Sequence, residues 1–360
     1  MVWPKVSIIW LNYNSSKILP IVLESLESVV GLDYPSDRYE LIVVDNGSTD
    51  GSFEKVKDFL ESRSSLRKRV IRLGRNLGFT GGNNIGFTAR DKESKYVLLL
   101  NNDAIIFQGG LKTLVEYAEN YSDVAGLQGV ILKYGTRFID TAGDYLDEVL
   151  QTYALGQYHE YPWILRKPIY ITYANGSCAL YKIESVLKCL SSNKLFIDEF
   201  FGYGDDNVLG LMMWNRGYRI ITVPEIIASH ARSFTFGKYK RGVLQAYLST
   251  RNRVALLLLT NNRYKHVVEY VMFSQILRDY IASVLKPKFS SFAQVRIRAF
   301  IDGIKLGERL KRKKVFIDMY KAPLIQISLK DIKIALAAKR VIAKYFEDWI
   351  AKNLSFLTVE

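Results

Sequence analysis

Cysteine is nearly absent. Cys178 and Cys189 are the two in 360 residues, which excludes a disulfide framework, and no Cys/His spacing suits zinc. Both read as small buried apolar residues. Long apolar runs are also missing. The greasiest, Val254 to Leu259, is far shorter than the roughly 20 residues of a spanning helix. No basic leader precedes the strand-like Val6 to Leu11. The expectation is a cytoplasmic chain without leader or span, touching the inner face of the cell membrane only peripherally. No Gly-Lys-Ser/Thr ending marks a phosphate-binding loop, and no Gly-X-Ser-X-Gly elbow presents a nucleophile. Acids are scarce in the last third: residues 231–360 hold 26 Lys and Arg against 9 Asp and Glu, whereas residues 1–230 hold 24 against 27. The formal charge of +14 therefore belongs to the C-terminal region and points to an anionic partner.

What is present suits a large core, since 49% of residues are hydrophobic and 13% aromatic. Strand-like runs at residues 5–11, 39–45, 70–73 and 96–100 alternate with helical patterns at about 16–30, 52–62 and 81–89. Leu41-Ile42-Val43-Val44 is continuously apolar, as in a parallel sheet covered on both faces. The order predicts βαβ units in an α/β fold with a mainly parallel sheet. Later come an irregular aromatic stretch at 123–168, a strand-like 173–181, a helix at 207–215, and a strand at 218–223 stopped by Pro224. After His230 the chain reads as helical and basic.

Ligands of such sheets sit beyond the carboxyl ends of the strands. Polar clusters fall at those ends: Asn12 to Asn14, Asp45 to Asp50, and Asn101 to Asp103. Asp103, beside Asn102, is suited to a hard cation, Mg²⁺ or Mn²⁺, which shares oxygen ligands with phosphates; a plain Asn/Asp turn gives the same pattern. Asp45, Asn46 and Ser48 can accept from a nucleobase or ribose, or form an Asx turn that caps the next helix. In Arg75 to Asn84, Asn76, Gly78 and Asn83 belong to a Gly- and amide-rich loop. A helix starting near Gly81 would aim its N–H groups at a phosphate. Asp205 and Asp206 open a helix after Gly202 and Gly204, where a carboxylate can take a proton from a hydroxyl or stabilise the helix dipole. His230, after the last strand, is a candidate metal ligand.

In this order these motifs resemble the family-2 glycosyltransferases of GT-A fold, and their rhamnosyltransferase-like branch in particular. The likeness runs through Val6 to Asn14, Val43 to Ser52, Arg75 to Asn84, Leu98 to Ala104 and Phe196 to His230, then Arg251-Asn252-Arg253. It implies a catalytic domain at 1–265, with a donor half at about 1–122 and an acceptor half at about 123–265, followed by a helical basic region at 266–360. It also implies inverting transfer from a nucleotide-diphosphate sugar to a glycan or polyprenyl-phosphate-linked acceptor. Asn12 and Asn14 then lie in the first donor-binding loop, and Asp45 contacts the base. Asn102-Asp103 takes the Asp-X-Asp metal position. Asp206 is the general base, with Asp205 second, and His230 serves the metal or the diphosphate. Two positions depart from the pattern: Asn101-Asn102-Asp103 offers one carboxylate, and Val208 replaces the acid usual after the Glu-Asp pair.

In the tail, Val341, Ile342, Tyr345, Trp349 and Ile350 recur at helical spacing, with Lys333, Arg340 and Lys344 among them and a basic run at Arg309 to Lys314. That stripe fits an anionic membrane, the catalytic domain, or a second subunit of a homo-oligomer. A nucleotidyltransferase would carry a basic Gly-rich loop after the first strand, which Asn12-Tyr13-Asn14 is not. A noncatalytic nucleic-acid binder would place its bases in the cleft, whereas here the cleft holds the acids.

Overall fold

A computed structural model describes residues 3–190, 192–232, 238–285, 290–328 and 339–359. Of the tail residues named above, Lys333 and the side chains of Arg340, Val341 and Ile342 lie outside the described residues.

The strands are β1 (Val6–Asn12), β2 (Tyr39–Asp45), β3 (Lys68–Arg72), β4 (Tyr96–Asn101), β5 (Ala104–Ile106), β6 (Val124–Lys133), β7 (Ile139–Thr141), β8 (Asp144–Leu146), β9 (Thr152–Ala154), β10 (Ile169–Tyr170), β11 (Cys178–Lys182) and β12 (Arg219–His230). The helices are α1 (Leu19–Val30), α2 (Ser52–Glu61), α3 (Gly78–Ala89), α4 (Gly110–Asn120), α5 (Ile183–Leu190), α6 (Asp205–Asn215), α7 (Lys238–Leu259), α8 (Lys265–Leu285), α9 (Ser290–Arg312) and α10 (Lys339–Leu357). One sheet runs in the order β10-β12-β6-β11-β4-β1-β2-β3, with β5 added beside β12 and β7 beside β6. β1 to β4 are mutually parallel, as their apolar runs predict, but β11 is antiparallel to both β4 and β6, so the sheet is mixed.

β1 shows how the sheet is covered. Ile8 and Trp10 face one core with Val22 and Leu26 of α1, while Ile9 joins Phe87 of α3 on the other side. Successive side chains alternate across a strand, so a run apolar at every position needs cover on both faces. The register then sets the site. Asn12 lies opposite Asp45, and Asn101 opposite Leu11. The reversal at β11 pairs Cys178 with Leu100, which returns residues 175–177 to the same sheet edge.

Pro224 does not stop the last strand. β12 continues through it to His230, and the pairing with β6 shifts register between Thr222 and Ile226. Such an irregularity accommodates a residue with no N–H to donate. The strand-like 173–181 is regular only from Cys178, since Asn175 and Gly176 form the turn before it. The tail stripe packs inward: Ile350 is fully buried, and Phe346 and Trp349 lie against Tyr145 at ring separations of 5.9 and 6.0 Å. No described helix is long and apolar enough to cross a membrane.

Candidate active site

Asn12 organises the first side of the cleft. Its Nδ2 donates to Asp45 Oδ1 at 2.9 Å, to Ser48 Oγ at 3.3 Å and to Ser52 Oγ at 3.2 Å, while its Oδ1 accepts from Asn102 Nδ2 at 3.2 Å. Asp45 is fully buried, and its Oδ2 accepts from Ser48 N at 3.0 Å. Two of its roughly four lone-pair sites therefore brace the loop from within, and Arg72 Nε lies 3.9 Å from Oδ2. Asn14 locks the same loop: its N–H donates to Ser48 Oγ at 3.0 Å, and its Oδ1 accepts from Thr49 N at 2.8 Å.

The Gly- and Asn-rich segment is tied up in hydrogen bonds of its own. α3 begins at Gly78, three residues before Gly81, and its first donors are already used. Leu77 N donates to Asn46 Oδ1, Gly78 N to Asn76 Oδ1, and Thr80 N to the Phe201 carbonyl. Asn46 Nδ2 closes this knot on Asn76 Oδ1 and the Gly78 carbonyl, and Asn83 Nδ2 donates back to the Phe79 carbonyl. Gly82 and Gly86 press α3 against Leu11 and Ile9 of the sheet, so their missing side chains serve helix packing. At Gly78, φ is +77°, and a Cβ would overlap the Phe201 carbonyl oxygen. The backbones at residues 78 and 201 touch there with nothing between them.

Asp205 and Asp206 begin α6 without a side-chain cap. Asp206 Oδ2 accepts from Gly176 N at 3.2 Å, while Asp206 Oδ1 and Asp205 Oδ2 are buried without a hydrogen-bond partner among the described residues. Burial pushes the Asp205 carboxyl up to about 7. Burial, then the charge of Asp205, holds Asp206 well above the usual carboxylate range, and the Gly176 N–H only partly offsets this. Nearby Asp144, hydrogen-bonded to Asn175 Nδ2 at 3.1 Å, is raised by burial to about 6. The raised Asp205 value means that the folded state keeps a proton which the unfolded chain has released. Its contribution to stability is present below about pH 4, the unfolded value, and is lost as pH rises toward 7. Asp205→Asn cannot ionise, so it should stabilise the chain at pH 8 and change little at pH 4; urea midpoints at the two pH values check this.

The loop before α6 is held from behind. Asn252 Nδ2 donates to the carbonyls of Phe200, Gly202 and Tyr203 at 3.0, 2.8 and 2.7 Å, and Arg251 Nη2 donates to those of Glu199 and Phe200 at 3.0 and 2.6 Å. Phe201 and Tyr203 sit at φ +66° and +62°. Non-glycine residues in this region cost on the order of 1–3 kcal/mol each and persist only where surrounding contacts enforce them.

The third corner contains Asp103 and His230. Pairing of His230 with Ala104 across β12 and β5 brings His230 Nε2 to 3.1 Å from Asp103 Oδ1. Its Nδ1 lies 3.2 Å from Asp140 Oδ2, and Asp140 also accepts from Arg232 Nε. Burial alone would lower the His230 pKa, but the hydrogen bonds and charges of Asp103 and Asp140 outweigh it and hold the value at about 9. Among the described residues, no three His, Cys, Asp or Glu side chains form a metal cage.

These corners are joined by short links. Asp45 is bonded to Asn12, and Asn12 to Asn102; Asn101 N donates to the Ser177 carbonyl at 3.0 Å, and Gly176 N donates to Asp206. These links run along the strand ends from Asp45, through the Asn101–Asn102 turn beside Asp103, to Asp206. Asp140, Asp144 and Asn175 were not singled out by sequence reasoning. The signal was an acid alternating with apolar residues in Ile139-Asp140-Thr141 and Asp144-Tyr145-Leu146.

A family model described as Glycosyl transferase family 2 matches residues 7–188, just over half the chain. The chain is 32% identical over 122 residues to the poly(ribitol-phosphate) beta-N-acetylglucosaminyltransferase TarS of Staphylococcus aureus, a match that covers 33% of this chain and 20% of that relative. Among solved structures, it is similar to the mannosyltransferase PcManGT from Pyrobaculum calidifontis in complex with GDP-Man and Mn²⁺. That likeness has a TM-score of 0.51 at 20% identity and covers 98% of this chain and 88% of that one. GalNAc-T7 with UDP, GalNAc and Mn²⁺ gives a TM-score of 0.58 at 15% identity, over 87% of this chain and 58% of that one. At these identities the likeness shows the fold, which is GT-A. The family match disfavours both the nucleotidyltransferase and the noncatalytic readings. The chain belongs to glycosyl transferase family 2 and is a glycosyltransferase.

Proposed function

We propose that the chain moves a sugar from a nucleotide-diphosphate sugar to a hydroxyl of a glycan or polyprenyl-phosphate-linked acceptor, inverting the anomeric carbon. The linked path Asp45–Asn12–Asn102 and Asn101–Ser177, ending at Gly176–Asp206, carries this reading. It sets a nucleotide-side loop and a candidate base at one sheet edge. Asp206 takes the acceptor hydroxyl proton while that oxygen bonds to the anomeric carbon and the bond to the diphosphate oxygen breaks. In this reading residues 1–122 form the donor half, 123–265 the acceptor half and 266–360 a helical extension. The TarS relative makes an N-acetylglucosaminyl donor the first to try, with a rhamnosyl donor as the alternative from the sequence likeness.

Mg²⁺ or Mn²⁺ fits this donor set. Asp103 is one nearly buried carboxylate with an imidazole beside it, which suits an ion completed by substrate phosphates and water. Asp103 would hold the ion, with His230 a second ligand once it yields the proton held between Asp103 and Asp140. When bound, the ion neutralises charge on the departing diphosphate. Asn14, Asn46 and Ser48 shape the nucleotide loop.

Thermal shift against a panel of nucleoside diphosphates tests the reading. One nucleotide at about 100 times its Kd should stabilise the chain by about 2.7 kcal/mol, raising Tm by several degrees, and only with a divalent ion. If no nucleotide shifts Tm with either ion, the donor site is not where it is placed here.

A further inference from the structure

Among the described residues, α8 gathers seven of the exposed large apolar side chains, too many to be scattered surface residues. Tyr270, Phe273, Leu277, Tyr280 and Val284 recur at alternating steps of three and four, which forms one stripe along a helix. Tyr270 is 73% exposed and Val284 66%. The stripe continues into an apolar groove of about 430 Å³ between α7, α8 and α9, lined by Val254, Leu257, Tyr270, Phe273, Phe300 and Ile304. A contiguous apolar face of this kind marks an interaction site. Of the tail stripe identified from the sequence, Trp349 packs on Tyr145 and Ile350 is fully buried, so these residues face the protein instead.

Charge decides between the two natural occupants, a second copy and a lipid surface. Residues 265–314 hold 12 Lys and Arg against 4 Asp and Glu. Arg278, Arg298 and Lys305 are exposed on the same two helices, and Lys311 to Lys314 are exposed where α9 ends. Glu269, at the groove rim, is already paired with Lys265 and His266. Two copies meeting face to face would bring these cationic segments together. An anionic bilayer instead accepts the apolar stripe and supplies the counter-charge. Tyr270 and Tyr280 suit the boundary, each with an apolar ring and a polar tip.

We propose that α8 and α9 form a docking face for an anionic lipid bilayer, with the α8 stripe in the headgroup–acyl boundary and the flanking Arg and Lys on lipid phosphates. The face is joined to the catalytic machinery. Gly303 brings α9 onto the α7 backbone at Arg251, and α7 supplies the Asn252 that holds the loop before Asp205. A bilayer bound here would lie against the scaffold of the acceptor half.

Sedimentation of the full chain with phosphatidylcholine vesicles, with and without phosphatidylglycerol, tests the proposal. Partitioning should be about tenfold or more stronger onto the anionic vesicles and should weaken as salt rises. Phe273→Asp with Leu277→Asp should remove it, and Arg278→Gln with Arg298→Gln and Lys305→Gln should erase the preference for anionic lipid. Circular dichroism melts should match the parent, because all five positions are exposed. The proposal is overturned if the chain stays in the supernatant with both vesicle types. It is equally overturned if analytical ultracentrifugation shows a dimer that the double Asp variant dissolves, since the stripe then belongs to a second copy. Nucleotide binding in the thermal-shift screen is independent of either outcome.

Discussion

Asp206→Asn is expected to lower kcat by about 10³-fold while leaving the chain folded, with a melting temperature no lower than the parent's. General base catalysis contributes on the order of 10²–10⁴ in rate, and the amide keeps the carboxylate's shape but cannot take a proton. Its carbonyl oxygen can still accept from Gly176 N, the one hydrogen bond the carboxylate receives. The pH dependence sharpens the test. Burial and Asp205 raise the Asp206 pKa, so the active, ionised base accumulates only as pH rises. Wild-type kcat/KM should climb as pH rises above the usual carboxylate range, and the residual rate of Asp206→Asn should be flat where the wild type climbs. Nucleotide release from the donor, followed at several pH values, reads both. Full turnover in the variant would remove Asp206 from the mechanism.

Asn252→Ala is expected to cost about 3 kcal/mol and most of the activity, although its side chain reaches neither substrate nor base. One buried amide serves three carbonyls, and its loss leaves them without that donor. Each such bond contributes about 1 kcal/mol, and an orphaned buried acceptor costs more. The loop also carries Phe201 and Tyr203 at positive φ. Once released it should relax, and Asp205 and Asp206 move with it. Urea unfolding should show a lower midpoint at unchanged m, and kcat should fall more than nucleotide affinity, because the donor loop around Asn12 is untouched. Parental stability and rate in Asn252→Ala would show that the loop is held by other contacts.

The strand ends could be read from the chain because their physics is local. Leu41 to Val44 is apolar at each position, so it must be a doubly covered strand, and Asp45 must then stand at its end. The same logic placed Asn12 and Asp103 together before any pairing was known. The Asp140 and Asp144 carboxylates could not be found this way. They lie on three-residue strands whose position depends on contacts with His230 and Asn175, 90 and 31 residues away in sequence. The packing role of the glycines near residue 80 was hidden for a related reason. A glycine that admits a phosphate and a glycine that admits a neighbouring helix look alike until the neighbour is known. Pro224 misled because a bulge absorbs it, and bulges leave little trace in composition. The tail showed a clear helical period, but the period says only that one face is covered, not by what.

The contact between Gly78 and the Phe201 carbonyl has a consequence for how such a chain can diversify. That seam is set by peptide against peptide, so its spacing does not depend on the side chains around it. Position 78 itself has no such latitude: any larger residue would meet the Phe201 carbonyl oxygen at a positive φ and push the two segments apart.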